Sequence, residues 1–135
     1  MRFEDGRTLY QAVADLVETW GEETRGESGY SAVGAVVGAT HPQEGKALRA
    51  RMPHTFFLVP GYGAQGGKAG DVAGMFDADG SGAIVNSSRG IIGAWRKSEE
   101  YREDMSADDA LDLVARCARK AAQDMRDDLR VNVYR

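Results

Sequence analysis

The sequence has 135 residues, a length typical of about one domain with a real hydrophobic core. Its formal net charge is −4 and its basic residues are not clustered, which argues against nucleic acid or an anionic membrane surface as a partner. The single cysteine, Cys117, excludes an internal disulfide and a multi-cysteine metal site. The polar first residues do not resemble a signal peptide, and no apolar run approaches the roughly 18 residues that span a bilayer, so we expect a cytoplasmic chain.

The first part of the chain predicts a helix, a strand and a second helix. Apolar residues at helical spacing predict an amphipathic helix over residues 8–20. The small apolar residues of 31–39 predict a strand that is buried on both faces. Pro42 suits the first turn of the next helix, which ends at Pro53. We expect this helix to bury Ala47, Leu48 and Met52.

The next stretch is a strand followed by a glycine-rich loop. Residues 56–59 are apolar without polar alternation, which predicts a second strand covered on both faces, and Pro60 ends it. Four glycines follow within seven residues, at Gly61, Gly63, Gly66 and Gly67. Because glycine has no side chain, the N–H groups of this loop can approach a phosphate closely. The loop is therefore a candidate anion-binding segment.

The rest of the chain continues the alternation of helices and strands. We predict a short helical segment, a third strand, a short helix and a long final helix at residues 71–76, 83–85, 90–95 and 107–129. Ser106 and Asp109 resemble a capping box before the final helix. The side of that helix expected to face the core carries Ala110, Leu111, Val114, Ala118, Ala121, Ala122 and Met125.

This order of elements predicts an α/β fold with a parallel sheet, because apolar strands that alternate with helices are joined by right-handed crossovers. Ligands of such sheets lie at the carboxyl ends of the strands. Thr40, the loop of residues 60–67 and the turn of residues 86–90 all follow predicted strands. We therefore expect the functional site at this edge of the sheet.

Arg89 is the strongest candidate for an anion ligand in the turn after the third strand. An arginine in a Ser-Ser-Arg-Gly turn that opens a helix combines a bidentate guanidinium with free backbone N–H groups. The amide of Gln65, in the glycine-rich loop, could donate to the same phosphate. The alternative for Arg89 is an ordinary exposed surface residue.

Two other motifs match only in part. Residues 61–66 read as G-x-G-x-x-G after a strand, but the following strand ends in Asn86 and two serines where a dinucleotide fold needs an acidic residue. Asp77 and Asp79 imitate the start of an EF-hand loop, but Ser88 stands where that loop requires a bidentate glutamate. We interpret the first as an anion loop and the second as a turn, and predict no metal site.

Four segments in this order resemble the carboxyl-terminal part of orotidine 5'-monophosphate decarboxylases of the longer type 2 subfamily. They are DGRTLYQAVADLVETWG, VGAVVGAT, FFLVPGYGAQGG and GAIVNSSRGI, and they cover residues 4–95. The resemblance implies that the three strands are the sixth, seventh and eighth of a TIM (β/α)8 barrel, so that the chain is a single, partial barrel over residues 1–135. The family converts orotidine 5'-monophosphate to uridine 5'-monophosphate and carbon dioxide in pyrimidine biosynthesis, without metal or organic cofactor.

The resemblance also implies roles for individual residues. Gln65 matches the glutamine of a closing phosphate lid, Arg89 matches the arginine that binds the phosphate dianion, and the backbone of Gly90 assists it. Pro60 and Tyr62 match the strand exit and the base of the lid. The further residues expected to line the pocket or the lid are Thr40, Gly61, Gly63 and Asn86.

The catalytic residues of the family have no counterpart in this sequence. The family's proton donor lies in a lysine–aspartate motif of the form DAKRGDI, and the four lysines here, Lys46, Lys68, Lys97 and Lys120, do not end predicted strands. We therefore expect a nucleotide-binding fragment that is inactive alone and whose open sheet associates with copies of itself or with a complementary amino-terminal half. The alternative is a non-catalytic nucleotide or sugar-phosphate binding module.

Overall fold

The computed structural model describes residues 2–63 and 66–133 of the chain. It contains three parallel strands, β1 (Gly34–Val36), β2 (Phe56–Pro60) and β3 (Ala83–Asn86). The helices are α1 (Leu9–Gly21), α2 (Pro42–Arg51), α3 (Ala69–Val72), α4 (Ser88–Ile92) and α5 (Ala107–Val133). Short 3-10 turns follow α1, α3 and α4 at Glu22–Thr24, Ala73–Met75 and Ala94–Lys97. No helix within these ranges is both long and apolar enough to cross a membrane.

The strands form one sheet in the order β1-β2-β3, which confirms the predicted parallel α/β fold. Phe57 pairs with Ala35 on one side and with Ala83 on the other, so β2 is the central strand. Helix α2 lies in the crossover from β1 to β2, and α3 lies in the crossover from β2 to β3. Because the strands are parallel and adjacent in sequence order, their carboxyl ends meet at one edge.

Strand β1 is shorter than the predicted run of residues 31–39, although the backbone continues to pair beyond it. The N–H groups of Val37 and Ala39 donate to the carbonyls of Leu58 and Pro60, both at 2.9 Å. The ladder between the first two strands therefore reaches the carboxyl edge of the sheet.

The helices cover one face of the sheet. Phe57 and Val59, which point to that face, are fully buried and pack with Val37, Met52 and Met75. The predicted core position Ala47 is exposed, whereas Arg49 is 7% exposed. The prediction for Ala47 was wrong because α2 packs through Gly45, where a Cβ atom would overlap the Met75 side chain, and this rotates the apolar face.

The other face of the sheet is bare, so the prediction of strands covered on both faces is wrong for the described chain. Side chains alternate between the two faces, and those opposite the helices are exposed: Val36, Phe56, Leu58 and Ile84. A continuous apolar run is typical of a strand with two covered faces, but the second layer is missing here.

The exposed apolar surface extends onto α1. Leu9, Val13, Leu16 and Trp20 of the predicted amphipathic face are all at least partly open to solvent. Between α1 and the free edge of β1 lies an apolar groove of about 610 Å³. On α5 the buried residues are Leu113 and Met125. Leu111 and Ala122 are exposed, so the prediction that these two residues face the core was wrong. The capping pattern of α5 is confirmed, since the Asp109 N–H donates to Ser106 Oγ at 3.1 Å.

Candidate functional site

A small pocket opens at the carboxyl edge of the sheet, between the segments that follow β2 and β3. The register pairs Pro60 with Asn86, so the residues after each strand lie side by side. The pocket has a volume of about 150 Å³, enough for a phosphate-sized group. Its lining residues are Pro60, Gly61, Tyr62, Asn86, Ser87, Ser88 and Arg89.

The glycine-rich loop after β2 has a backbone shape that depends on glycine. Gly61, Gly63 and Gly66 have φ angles of 102°, 72° and 89°, in the left-handed region that other residues rarely adopt. The N–H of Gly63 donates to the carbonyl of Gly67 at 2.8 Å, which closes the loop. A Cβ atom on Gly67 would lie 2.9 Å from both the Cβ of Ala39 and the Gly61 carbonyl oxygen, so a side chain does not fit there.

Ser87 connects the two loops of the site. Its side chain is buried, and its Oγ donates to the Tyr62 carbonyl at 3.1 Å. A Cβ atom on Gly90 would overlap this same Oγ, which explains why glycine follows Arg89. Ser87 was not among the predicted site residues. The signal was present in the sequence, because Ser87 stands between Asn86 and Arg89, which were both predicted.

Arg89 contributes the positive charge of the pocket. It is exposed, and no carboxylate pairs with its guanidinium within residues 2–63 and 66–133. Helix α4 begins at Ser88, so Arg89 lies inside it and the predicted start after Arg89 was two residues late. Because α4 spans only five residues, its dipole adds little to the charge of the guanidinium.

The other predicted site residues are placed as follows. Thr40 is absent from the lining of the pocket, and its Oγ1 lies 3.1 Å from Nδ1 of His41. Gly63 and Gly90 line a neighbouring groove of about 420 Å³ that reaches α5, rather than the pocket itself. Gln65 lies outside the described residues, so the expected pairing of Gln65 with Arg89 stays a prediction.

Tyr62 stands between the pocket and this neighbouring groove. Its phenol donates to Oδ2 of Asp128 on α5 at 2.6 Å. Burial, the hydrogen bond to Asp128 and the charge of that carboxylate together raise the pKa of Tyr62 to about 12. The phenol therefore stays protonated near neutral pH. In the described part of the chain, no group of three or more His, Cys, Asp or Glu side chains could hold a metal ion.

Comparison with known proteins gives close sequence relatives. The chain is 53% identical over 95 residues to orotidine 5'-phosphate decarboxylase of Rhodopirellula baltica, a match that covers 70% of this chain and 32% of the relative. It is 40% identical over 130 residues to the enzyme of the same name from Clostridium acetobutylicum, covering 96% of this chain and 42% of the relative. No protein-family model matches the chain.

Comparison with solved structures agrees. The structure of Leishmania donovani OMP decarboxylase matches with a TM-score of 0.66 and 32% identity, covering 98% of this chain and 41% of that one. The names of these relatives do not favour the alternative of a non-catalytic binding module. The chain spans between 32% and 42% of the length of the two curated relatives. Over that length, which is a carboxyl-terminal part of the enzyme, the chain belongs to the orotidine 5'-phosphate decarboxylase family.

Proposed function

We propose that this chain is the phosphate-binding part of an orotidine 5'-phosphate decarboxylase and that it binds the phosphate of the nucleotide beside Arg89. The observation that carries the proposal is the pocket of about 150 Å³ that places Arg89 against the loops after β2 and β3. A guanidinium can bind a phosphate through two parallel hydrogen bonds, and such charge-assisted bonds are the strong ones. The glycines at the pocket edge let the ligand approach the backbone closely.

In an intact enzyme, this site acts at a distance from the reacting carbon. Binding energy from a part of the substrate that does not react can stabilise the transition state elsewhere on the substrate. The contribution of Arg89 and the two loops is therefore to hold the phosphate and to fix the position of the attached ribose and base. Gln65 is proposed to donate to the same phosphate from the glycine-rich loop.

The chemical step needs residues other than those of this pocket. Replacing carbon dioxide by hydrogen on the pyrimidine requires a proton donor at the reacting carbon, and among the described residues neither a lysine nor a carboxylate lines the pocket. Arginine stays protonated in proteins, and the pKa of Tyr62 is about 12, so neither lining group is poised to exchange a proton. We therefore propose that decarboxylation requires polypeptide that supplies this donor.

The bare face of the sheet supports a proposal for the packing of that polypeptide. We propose that residues 1–135 are one incomplete barrel segment and that further strands cover Val36, Phe56, Leu58 and Ile84. The apolar groove beside α1 and a second groove of about 430 Å³ along β3 and α5 lie at the two free edges of the sheet. A partner that carries the missing strands would pair with both edges, whereas a second copy of this chain would cover the face without adding the catalytic groups.

The test of the phosphate site is the affinity of the purified chain for uridine 5'-monophosphate, measured by titration calorimetry. Arg89→Ala removes the positive charge of the pocket. We expect the dissociation constant to increase about 10- to 100-fold, the range expected for loss of a hydrogen bond to a charged group. Arg119→Ala on the exposed side of α5 is the matched control and should bind like the wild type. Equal affinities for the Arg89→Ala chain and the wild type would contradict the proposal.

A further inference from the structure

Tyr62 joins three parts of the molecule. Its backbone carbonyl accepts a hydrogen bond from Ser87 Oγ at 3.1 Å, and Ser87 belongs to the loop after β3. Its phenol donates to Oδ2 of Asp128 at 2.6 Å, and Asp128 lies on α5, 66 residues further along the chain. Since Tyr62 is itself part of the loop after β2, one residue connects both loops of the pocket to the final helix.

Asp128 is held in place on its own helix. Asn132, one turn later, donates through Nδ2 to the backbone carbonyl of Asp128 at 2.8 Å and to its Oδ1 at 3.3 Å. Oδ1 thus accepts from Asn132 while Oδ2 accepts from Tyr62. With a donor on each oxygen, the carboxylate has a fixed orientation toward the loop.

The charges around Tyr62 make Asp128 its specific partner. Asp124 and Asp128 line the groove on the α5 side of Tyr62, and Arg89 lines the pocket on its other side. Asp124 is engaged by Lys120, at 2.8 Å from Nζ to Oδ2. Asp128 is therefore the carboxylate that accepts the hydrogen bond from the Tyr62 phenol. The raised pKa of Tyr62 keeps the phenol protonated at neutral pH.

We propose that Asp128 is a positioning residue of the anion pocket, which acts through Tyr62 to hold the backbone of Gly61 and Tyr62 beside Arg89. A loop with this many glycines has many accessible conformations, and ordering it on binding costs conformational entropy. A fixed hydrogen bond from the loop to α5 removes part of that cost before the ligand arrives, which increases affinity through preorganisation. Only the ligand readout of this proposal rests on the proposed phosphate site.

The binding test compares Tyr62→Phe, Asp128→Ala and the double variant by titration with uridine 5'-monophosphate. Each single variant should weaken binding about 2- to 10-fold, because part of the loop must then be ordered when the ligand binds. Because both variants remove the same interaction, the double variant should bind no more weakly than the weaker single variant. Asp128→Asn keeps an acceptor oxygen and should recover most of the affinity, and Asp124→Ala should bind like the wild type. The proposal would be overturned if the losses of affinity in the two single variants added up in the double variant. It would also be overturned if Asp124→Ala weakened binding as much as Asp128→Ala.

Two measurements on the free chain detect positioning without ligand. In tyrosine-labelled protein, the ring resonance that Tyr62→Phe removes should titrate near 12 in the wild type and at a lower pH in Asp128→Ala. The amides of Gly63 and Gly67, which donate within the loop, should exchange with solvent faster in Asp128→Ala. A wild type that does not bind the nucleotide would refute the proposed function, but unchanged exchange and unchanged titration in Asp128→Ala would refute the positioning role.

Discussion

Single residues at the amino-terminal edge of the sheet carry charges that stabilise the fold rather than the site. Arg49 is buried, and its guanidinium donates to the carbonyls of Met75, Met52, Thr55 and Gly82 while it lies over the ring of Phe57. Burial lowers the pKa of Arg49, but arginine remains charged in proteins. One side chain thus binds four backbone acceptors from three segments of the chain, which a shorter or neutral residue could not do.

Glu18 makes the stability of the protein depend on pH. Its carboxylate accepts from Thr55 Oγ1 at 3.0 Å and lies 2.6 Å from Nδ1 of His54. Burial alone would raise its pKa, but the hydrogen bonds from His54 and Thr55 outweigh burial, and the pKa lies below the ordinary 4.5. The folded chain therefore binds protons less readily at Glu18 than the unfolded chain does.

We predict that the free energy of unfolding decreases in acid and that protonation of Glu18 causes part of this decrease. Since its folded pKa is lowered, the stabilisation is complete above about 4.5 and is lost as the pH falls through the folded pKa. Urea unfolding between pH 3 and 7 should show a smaller decrease in Glu18→Gln than in the wild type. Glu103→Gln, on the exposed connector before α5, is the control and should follow the wild-type curve. Identical pH dependence in all three proteins would show that the contacts of Glu18 contribute no such linkage.

At the scale of the elements, the contact of α2 with the turn after α3 decides how the first crossover packs. Gly45 of α2 faces Met75, which is fully buried in the 3-10 turn. A Cβ atom at Gly45 would lie 2.9 Å from Cγ of Met75, closer than real Cβ contacts. The helix approaches the turn closely because glycine stands at this position.

Gly45→Ala should therefore destabilise the protein even though alanine is the better helix former. Alanine gains about 1 kcal/mol of helix propensity, but overpacking a close-packed core costs about 1–3 kcal/mol, so we expect a net loss. Gly70→Ala in α3 is the matched control, because its Cβ would meet no atom nearer than Asn132 Oδ1 at 3.8 Å. Urea unfolding should show a lower free energy of unfolding for Gly45→Ala and an equal or higher one for Gly70→Ala. The reverse order would contradict this account of the packing.

The elements also show which features the sequence can predict. The strands and the edge on which their loops meet follow from local patterns, because an apolar run that ends in Pro60 or in Asn86 marks a strand exit by itself. Burial of Arg49 could not be read from periodicity, which counts apolar residues only. The contact of Tyr62 with Asp128 joins positions 66 residues apart that share no local pattern. The exposure of Leu58 could not be predicted either, because a bare apolar face and a covered one have the same sequence.

At the scale of the whole molecule, residues 2–63 and 66–133 form a core on one side of the sheet only. Phe57 and Val59 are fully buried beneath the helices, whereas Leu58, between them, is 41% exposed on the bare face. The unpaired edges of β1 and β3 offer free backbone groups beside this apolar surface. Exposed apolar patches of this kind mark surfaces that other polypeptide covers.

The bare face should therefore drive association of the isolated chain, and a charge on it should reduce that association. We expect Leu58→Lys to shift the sedimentation velocity profile toward the monomer and to change the free energy of unfolding of the monomer by less than about 1 kcal/mol, because Leu58 already contacts solvent. Val59→Lys places the same charge one residue further along β2, in the closed core, and should unfold the chain instead. Association that persists unchanged in folded Leu58→Lys would mean that the contact between copies lies elsewhere, which would count against the proposal that further strands cover the bare face.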